Sequence, residues 1–287
     1  MLGLEDLEIG LLLWGGADPG ETLDQMKRFR LRAGQLGVGG DLQLDGAAEK
    51  WDRALTAAQC VMITGVCAYE GESYADVPTV QRTVGLVPES TRNERIARTK
   101  AVADFAADLA IDSVACHIGF VPHDRTSAVY SGVRDVAREI CDYCGERGES
   151  FALETGQEPA KVLLQFIEDV DRPNLKINFD PANMILYGTG DPIEALDVLA
   201  AHVISVHCKD GDWPPRDQPE ALGTERPLGD GSVDIPKFIA KLKEVGYKGV
   251  LTIEREGEPD PRRREEDIRR AITLLRPLRH GTSSART

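Results

Sequence analysis

Short apolar runs alternate with longer amphipathic stretches along almost the whole chain. Apolar runs of this kind are typical of parallel strands that are covered on both faces. They lie at 7–14, 35–39, 61–69, 112–118, 150–154, 175–179, 203–208 and 249–253. Each is followed by a stretch with helical periodicity, at 21–33, 47–59, 91–109, 127–147, 158–170, 192–200, 235–245 and 261–275.

Eight strand-plus-helix units predict a parallel sheet with right-handed crossovers. Eight such units in a chain of this length favour a closed (β/α)8 TIM barrel, an α/β fold, as a single domain over residues 1–279. The small polar residues at 280–287 predict a disordered tail. An open doubly wound sheet is the alternative fold, but no GxGxxG motif follows the first strand.

Two proline-containing connections, 70–90 and 209–231, are much longer than the rest. Loops of this length commonly carry function, so we expect them to cover the barrel mouth or to meet a neighbouring subunit.

Charge and composition exclude several classes of protein. The chain has 34 Lys and Arg against 48 Asp and Glu, a net charge of −14, which disfavours nucleic acids and anionic membranes as partners. No apolar stretch approaches a membrane span, and the run at 11–14 lacks the basic leader of a signal peptide. Six scattered cysteines predict a reducing, cytoplasmic location. Cys141 and Cys144 form a CxxC, which we interpret as two small helix residues rather than a metal or redox motif.

Ionisable residues stand where four consecutive predicted strands end: Glu154, Asp180, His207 and Glu254. Their spacings are 26, 27 and 47 residues, which equal one strand–helix unit twice and then one unit plus the long loop. Active sites of TIM barrels lie at this end of the strands, so we expect the four side chains to meet.

Three carboxylates in one barrel mouth repel one another unless a cation lies between them. Three oxygen donors with one imidazole suit Mn²⁺ first, with Mg²⁺, Co²⁺ or Zn²⁺ as alternatives. Singly, each residue has an ordinary structural explanation. Glu154 is explained as a solvated strand end, Asp180 as the start of a turn or a helix cap, His207 as a buried hydrogen-bonded imidazole, and Glu254 as a partner of Arg255 or of the following basic helix. Jointly, at matched strand ends, they predict a catalytic divalent metal site.

The same segments resemble the xylose-isomerase-like barrels, a group of sugar isomerases and epimerases that also includes inosose dehydratases and endonuclease IV. The resemblance rests on ALETGQEP, INFDPANMILYGTGDPIEAL, VISVHCKDGD and PLGDGSVDIPKFIAKLKEVGYKGVLTIERE, and it spans about residues 113–256. It implies that the quartet binds the metal and that Glu154 and Glu254 also act as acid and base. It also implies a homo-oligomer.

The chain departs from the ketose 3-epimerases of that group. Asn183 stands where they have a substrate-binding histidine, and their second substrate-binding glutamate falls on Ala160, with Glu158 nearby but out of register. Their arginine after the metal histidine falls near Trp213, with Arg216 as the nearest candidate. The departures weaken the case for 3-epimerisation and leave the metal ligands unaffected.

Further substrate contacts are predicted from position alone. His117 ends the fourth strand, and Trp14 ends the first, where its ring can face a sugar. Lys209 and Asp210 follow the predicted ligand His207, and Lys209 suits a hydroxyl, carboxylate or phosphate. Their structural alternatives are a buried imidazole, a core aromatic and surface charges.

These residues predict an enzyme that acts on a sugar, sugar phosphate or polyol by proton transfer alpha to a carbonyl, through an enediolate that the metal stabilises. If the proton returns to the same carbon from the opposite face, the enzyme is an epimerase. If it returns to the neighbouring carbon, the enzyme is an isomerase. The alternative is a lyase or dehydratase acting on a keto-inositol or 3-keto-sugar derivative. Five histidines are too few for the metal cluster of endonuclease IV, and a non-catalytic binding barrel predicts no metal.

Overall fold

The computed structural model describes residues 3–280, and a closed barrel of eight parallel strands forms its centre. The barrel strands are β1 Ile9–Trp14, β2 Ala33–Val38, β3 Val61–Cys67, β4 Ser113–Cys116, β5 Ser150–Glu154, β6 Leu175–Phe179, β7 Val203–Cys208 and β10 Leu251–Ile253. Around the barrel they follow the order β1-β10-β7-β6-β5-β4-β3-β2. Each strand pairs with its neighbours in sequence order, and β10 closes the ring on β1 through Ile9 and Leu251. The prediction of a (β/α)8 barrel is confirmed.

Helices surround the barrel. They are α1 Pro19–Phe29, α2 Ala48–Ala58, α3 Val77–Thr83, α4 Arg92–Asp108, α5 Ala128–Gly145, α6 Ala160–Val170, α7 Pro181–Tyr187, α8 Pro192–Leu199, α9 Ile235–Glu244 and α10 Pro261–His280. Apart from α3 and α7, which lie at the C-terminal ends of the strands, these helices pack their apolar stripes on the outer face of the barrel. This packing explains why the strands have apolar side chains on both faces.

Aspartate followed by proline starts several of these helices. Asp18, Asp180 and Asp191 are N-caps whose carboxylates accept backbone N–H bonds from the first turn, and a proline follows each of them. The carboxylate satisfies N–H groups that have no partner inside the helix, and the proline has the dihedral angle that the first turn needs. Asp180 uses only Oδ1 for this purpose, so Oδ2 is free to face the barrel mouth.

The first helix is shorter than its sequence pattern predicts. It ends at Phe29, because Arg30 adopts the left-handed conformation (φ 56°) and caps it, and Ala33 already belongs to β2. In β2, Gly34 passes so close to β1 that a Cβ there would lie 2.2 Å from the Leu11 carbonyl oxygen. That close approach requires glycine, and the two glycines of the strand weaken its sequence signal.

The two long connections fold over the C-terminal ends of the strands. The first, after β3, contains α3, and the second, after β7, contains the antiparallel pair β8 Asp210–Asp212 and β9 Thr224–Arg226. The Val77 N–H donates to the Glu220 carbonyl at 2.9 Å, so the two loops are joined. Strands β3 and β7 lie on opposite sides of the barrel, and the joined loops therefore cover its mouth, as the loop lengths predicted.

Some sequence predictions concern residues at the margins of the structure. Helix α10 reaches His280, the first residue of the predicted tail, and the rest of that tail lies outside the described residues. None of the helices between residues 3 and 280 combines the length and apolarity that crossing a bilayer requires.

Cys141 and Cys144 lie buried on α5, where burial raises the pKa of each thiol to about 12, so both stay protonated and unreactive.

Candidate active site

Four ionisable side chains meet at the C-terminal end of the barrel. Glu154 ends β5, Asp180 follows β6, His207 lies in β7 and Glu254 follows β10. All four are buried, and one ligand atom from each lies within 4.8 Å of the others. The quartet predicted from the strand ends is therefore brought together by the fold.

The histidine is the centre of this group. His207 Nδ1 lies 2.6 Å from Glu254 Oε2, 3.4 Å from Asp180 Oδ2 and 3.6 Å from Glu154 Oε1. Within residues 3–280, His207 Nδ1, Glu254 Oε2 and Asp180 Oδ2 are buried and have no hydrogen-bond partner outside this group. Buried polar atoms without partners are costly, and here they converge on one point. A cation that accepts lone pairs from oxygen and imidazole nitrogen would satisfy them together, so the residues fit a divalent metal.

The far side of the imidazole is fixed by a buried amide. His207 Nε2 lies 3.0 Å from Gln35 Oε1, which can only accept a hydrogen bond. Gln35 Nε2 in turn donates to Asn178 Oδ1 at 3.1 Å, and the Ser205 hydroxyl donates to the same oxygen at 2.6 Å. The Asn178 Nδ2 amide, a donor, lies 3.1 Å from the same Nε2. The two amides together fix the orientation of the ring, with Nδ1 facing the carboxylates, as the outer partners of metal-binding histidines do.

The charges at the site are strongly coupled. Burial acts to lower the pKa of His207, but the carboxylates of Glu254 and Glu154 outweigh it and raise that pKa well above its usual value. Burial acts to raise the pKa of Glu254, yet the Lys209 ammonium and His207 hold it well below its usual value. Asp180 has a raised pKa, because burial outweighs its attraction to Lys209. A field that holds a proton on His207 also attracts a metal cation to the same nitrogen.

Lys209 balances part of the negative charge. Its Nζ lies 2.8 Å from Glu254 Oε1 and 3.7 Å from Asp180 Oδ2. When His207 is neutral, as a metal ligand must be, three ionised carboxylates and the Lys209 ammonium leave two negative charges, which a divalent cation would neutralise.

Two predicted substrate contacts surround the first glutamate. Asn183 Nδ2 donates to Glu154 Oε1 at 2.9 Å, and His117 Nε2 lies 3.3 Å from the same oxygen. Gln157 Nε2 lies 3.2 Å from His117 Nδ1. Burial raises the pKa of Glu154, but His117 and then His207 lower it, and the net pKa is below its usual value. Glu154 is thus an ionised carboxylate with hydrogen-bond donors on one oxygen.

The quartet opens into a cavity of about 1030 Å³ beneath the two joined loops. Trp14, His117, Asn183 and Lys209 line it together with Glu154, His207 and Glu254. The Trp14 Nε1–H donates to Glu256, a rim carboxylate. Burial and the charge of Glu254 raise the pKa of Glu256 to about 7.

Three other predicted substrate contacts lie outside this lining. Glu158 is buried, accepts the Val121 N–H at 2.8 Å and has a pKa raised to about 8 by burial. Asp210 is also buried, and its carboxylate accepts N–H bonds from the backbone of the connection between β7 and α9. Arg216 is exposed on the connection after β7. The positions of Glu158 and Asp210 indicate structural roles, since their oxygens are used within the protein.

Several residues of the site are absent from the sequence prediction. Gln35 and Asn178 hold the histidine, and Tyr74 and Tyr187 line the cavity. A polar amide inside an apolar strand is a signal that could have identified Gln35 and Asn178, because such a group needs a buried partner. No pattern in the loops identifies Tyr74, whose position depends on how the loop folds.

Comparison with known proteins gives a consistent result. The family model described as "Xylose isomerase-like TIM barrel" matches residues 16–278. A solved structure of a xylose isomerase domain protein from Planctomyces limnophilus is 41% identical, with a TM-score of 0.91 over 96% of this chain and 98% of that one. Two more distant structures share the fold. A D-psicose 3-epimerase solved in the presence of D-fructose is 15% identical, with a TM-score of 0.68 over 96% of this chain and all of that one.

The second of these distant structures is the probable 3-DHS dehydratase AsbF of Bacillus anthracis, described as involved in petrobactin synthesis. It is 15% identical, with a TM-score of 0.64 over 93% of this chain and 98% of that one. The family match covers most of the chain, and the Planctomyces structure covers nearly all of it at an identity that indicates common descent. The chain therefore belongs to the xylose isomerase-like TIM barrel family.

Proposed function

We propose that this protein is a divalent-metal-dependent isomerase or epimerase of a sugar. The observation that carries the proposal is the convergence of three buried atoms without partners, Asp180 Oδ2, His207 Nδ1 and Glu254 Oε2, at the base of a large cavity. A site of oxygen and imidazole donors without thiolate suits Mn²⁺, the ion that we propose. The expected self-association stays a prediction.

The metal would be held by Glu154, Asp180, His207 and Glu254. When bound there, a divalent ion acts as a Lewis acid that acidifies the hydrogen next to a substrate carbonyl. All proton movements fall to the side chains of the chain itself.

The two glutamates are suited to take and return this proton. Both have lowered pKa values, so both are ionised bases at neutral pH. Glu254 is steadied by Lys209 at 2.8 Å, and Glu154 by Asn183 at 2.9 Å. Strands β5 and β10 are separated by β6 and β7 around the barrel, so the two carboxylates approach a bound sugar from different sides. Removal by one and return by the other inverts the carbon, and return by the same one to the neighbouring carbon isomerises the sugar.

The test combines metal analysis with proton exchange. Protein purified without chelator should contain about one divalent ion per chain, and NMR in D₂O should detect deuterium entering a ketose or aldose next to its carbonyl. Glu154→Gln and Glu254→Gln should each lower this exchange at least ~100-fold, since each removes a positioned acid–base group. The matched control is Glu266→Gln, which changes an exposed glutamate on α10. Metal-free protein, or exchange that survives both substitutions, would refute the proposal.

A lyase or dehydratase is the second candidate, and His117 favours it. This third ionisable group faces the cavity with Nε2 3.3 Å from Glu154 Oε1, where it can protonate a departing hydroxyl or alkoxy group. Mass spectrometry of the products separates the candidates, because a lyase product has lost a fragment. His117→Asn would abolish elimination while leaving α-proton exchange in place.

A further inference from the structure

The cavity walls beyond the metal quartet are acidic. Five more carboxylate residues line it: Glu72, Asp76, Glu220, Glu225 and Glu256. Of the side chains that line the cavity in residues 3–280, Lys209 is the one with a permanent positive charge. Glu225 is paired with Arg255, and the other four carboxylate residues leave the wall net negative. This charge disfavours an anionic substrate, because like charges in a partly enclosed cavity are poorly screened.

The positive charge of Lys209 is already used. Its Nζ lies between Glu254 and Asp180, at 2.8 and 3.7 Å, and its side chain is 8% exposed. The nearest arginine along the last strand, Arg255, is held between Glu225 and Asp267. Neither cation is free to bind a phosphate group.

The backbone amides after β7 are also occupied. TIM barrels that bind phosphate commonly do so with backbone N–H groups of the loops after the seventh and eighth strands. Here the Asp210 carboxylate, which is buried, accepts from Gly211, Gly229, Gly231 and Val233 at 2.9–3.1 Å. An anion that belongs to the protein therefore fills the place where these amides could hold a phosphate.

The size and surface of the cavity indicate a substrate longer than one sugar ring. Its volume of about 1030 Å³ is at the upper end of the range of roughly 300–1,000 Å³ for pockets that enclose drug-sized ligands. Trp14 and Tyr74 are 42% and 44% exposed and both line it, together with Leu186 and Leu222. Exposed aromatic rings beside the metal quartet provide an apolar surface for a second ring.

We propose that the substrate is an uncharged carbohydrate of about two rings, a glycoside or disaccharide without phosphate. This inference rests on the proposed function, since it names the substrate class of the same site. The reacting carbonyl lies at the metal quartet, and the second ring lies against Trp14 and Tyr74.

The experiment compares three matched probes with the metal-loaded protein: D-fructose, D-fructose 6-phosphate and lactulose, in which a galactosyl ring is attached to fructose. Calorimetry measures binding, and NMR in D₂O measures α-proton exchange. We expect lactulose to bind at least tenfold more tightly than fructose, and the phosphate ester to bind at least ~100-fold more weakly than lactulose. If lactulose binds preferentially but exchanges no deuterium, the proposed reaction fails and this inference stands. Preference for the phosphate ester, or no gain from the second ring, overturns it.

Two variants test the physical reasons separately. Tyr74→Ala should remove most of the preference for lactulose, and the matched control Trp213→Ala should keep it, because Trp213 is equally exposed (45%) but lies outside the cavity lining. Glu220→Lys places a cation in the cavity wall. It should raise the affinity for D-fructose 6-phosphate, relative to that for D-fructose, about tenfold. If Tyr74→Ala and Trp213→Ala change the preference for lactulose equally, or if Glu220→Lys leaves the relative affinity for the phosphate ester unchanged, the proposed substrate class is contradicted.

Discussion

The substitution Glu149→Gln should flatten the pH dependence of folding stability without touching the active site. Glu149 directly precedes β5, is 3% exposed, and both its carboxylate oxygens are buried without a hydrogen-bond partner in residues 3–280. It lies five residues before Glu154 along one strand, about 16 Å away at roughly 3.3 Å per residue. Burial, only partly offset by Arg147, raises the pKa of Glu149 from 4.5 to about 8.

The sign and size of the effect follow from proton linkage. Between pH 4.5 and 8 the folded protein holds a proton on Glu149 that the unfolded chain has lost. The free energy of unfolding therefore falls as pH rises, by up to ~1.4 kcal/mol per pH unit, and the stabilisation is lost by the time pH passes the folded pKa. The range from pH 5.5 to 7.5 lies between the two pKa values, so the linkage across these two pH units amounts to about 2 kcal/mol.

Urea unfolding at pH 5.5, 6.5 and 7.5, at one fixed metal concentration, measures this directly. Relative to the parent protein, Glu149→Gln should gain about 2 kcal/mol of stability between the lowest and highest pH. Comparing how the free energy of unfolding changes with pH in the two proteins removes any pH-independent cost of burying the glutamine amide. Glu146→Gln is the matched control, because Glu146 is an exposed glutamate three residues away. Parallel pH profiles for the parent and Glu149→Gln, or the same change in the control, would refute the reasoning.

Three further predictions concern the site and its support. Gln35→Leu should weaken Mn²⁺ binding about 10–100-fold by calorimetry, because it releases His207 Nε2, whereas Gln43→Leu at an exposed position should not. Asp210→Asn should cost about 2–4 kcal/mol in urea unfolding, since four backbone N–H groups lose an ionised acceptor, and a loss below about 0.5 kcal/mol would contradict that role. Chelation should lower the melting temperature and added Mn²⁺ should restore it, because binding at 100 times Kd stabilises a folded protein by about 2.7 kcal/mol; an unchanged melting temperature would argue against a bound metal.

The convergence of Glu154, Asp180, His207 and Glu254 could be predicted from the sequence, because in a barrel the spacing along the chain determines which residues end neighbouring strands. Residues that end successive strands lie on one rim, so Glu154 and Asp180 at a spacing of one unit must come close. The same rule fails just beyond the strand ends. Asp210 turns away to collect backbone amides, and Glu158 turns to Val121, because the conformation of a loop depends on contacts that no periodicity records.

The short helix α7 illustrates a second limit. The sequence allows Asp180 to be the start of a turn, a helix cap or a ligand. In the structure Oδ1 caps α7, and Oδ2 faces the other members of the quartet. A sequence pattern assigns one role to a residue, whereas a carboxylate has two acceptors that can serve different partners. The fold was easier to predict than the substrate for a related reason. The hydrophobic periodicity that predicts the fold repeats along the whole chain. Tyr74 and Trp14, which line the cavity, belong to no repeated pattern.

The hydrogen bond from Val77 to Glu220 joins main-chain atoms only. No side chain of the two covering loops is therefore a partner in this bond, and among substitutions at 77 only proline eliminates the donor. Other contacts in the cover do depend on side chains, since the Glu72 carboxylate accepts the Tyr69 and Gly85 N–H groups. Loop positions whose side chains make no such contact can therefore be substituted to change what the cavity accepts, while the main-chain bond keeps the two loops joined.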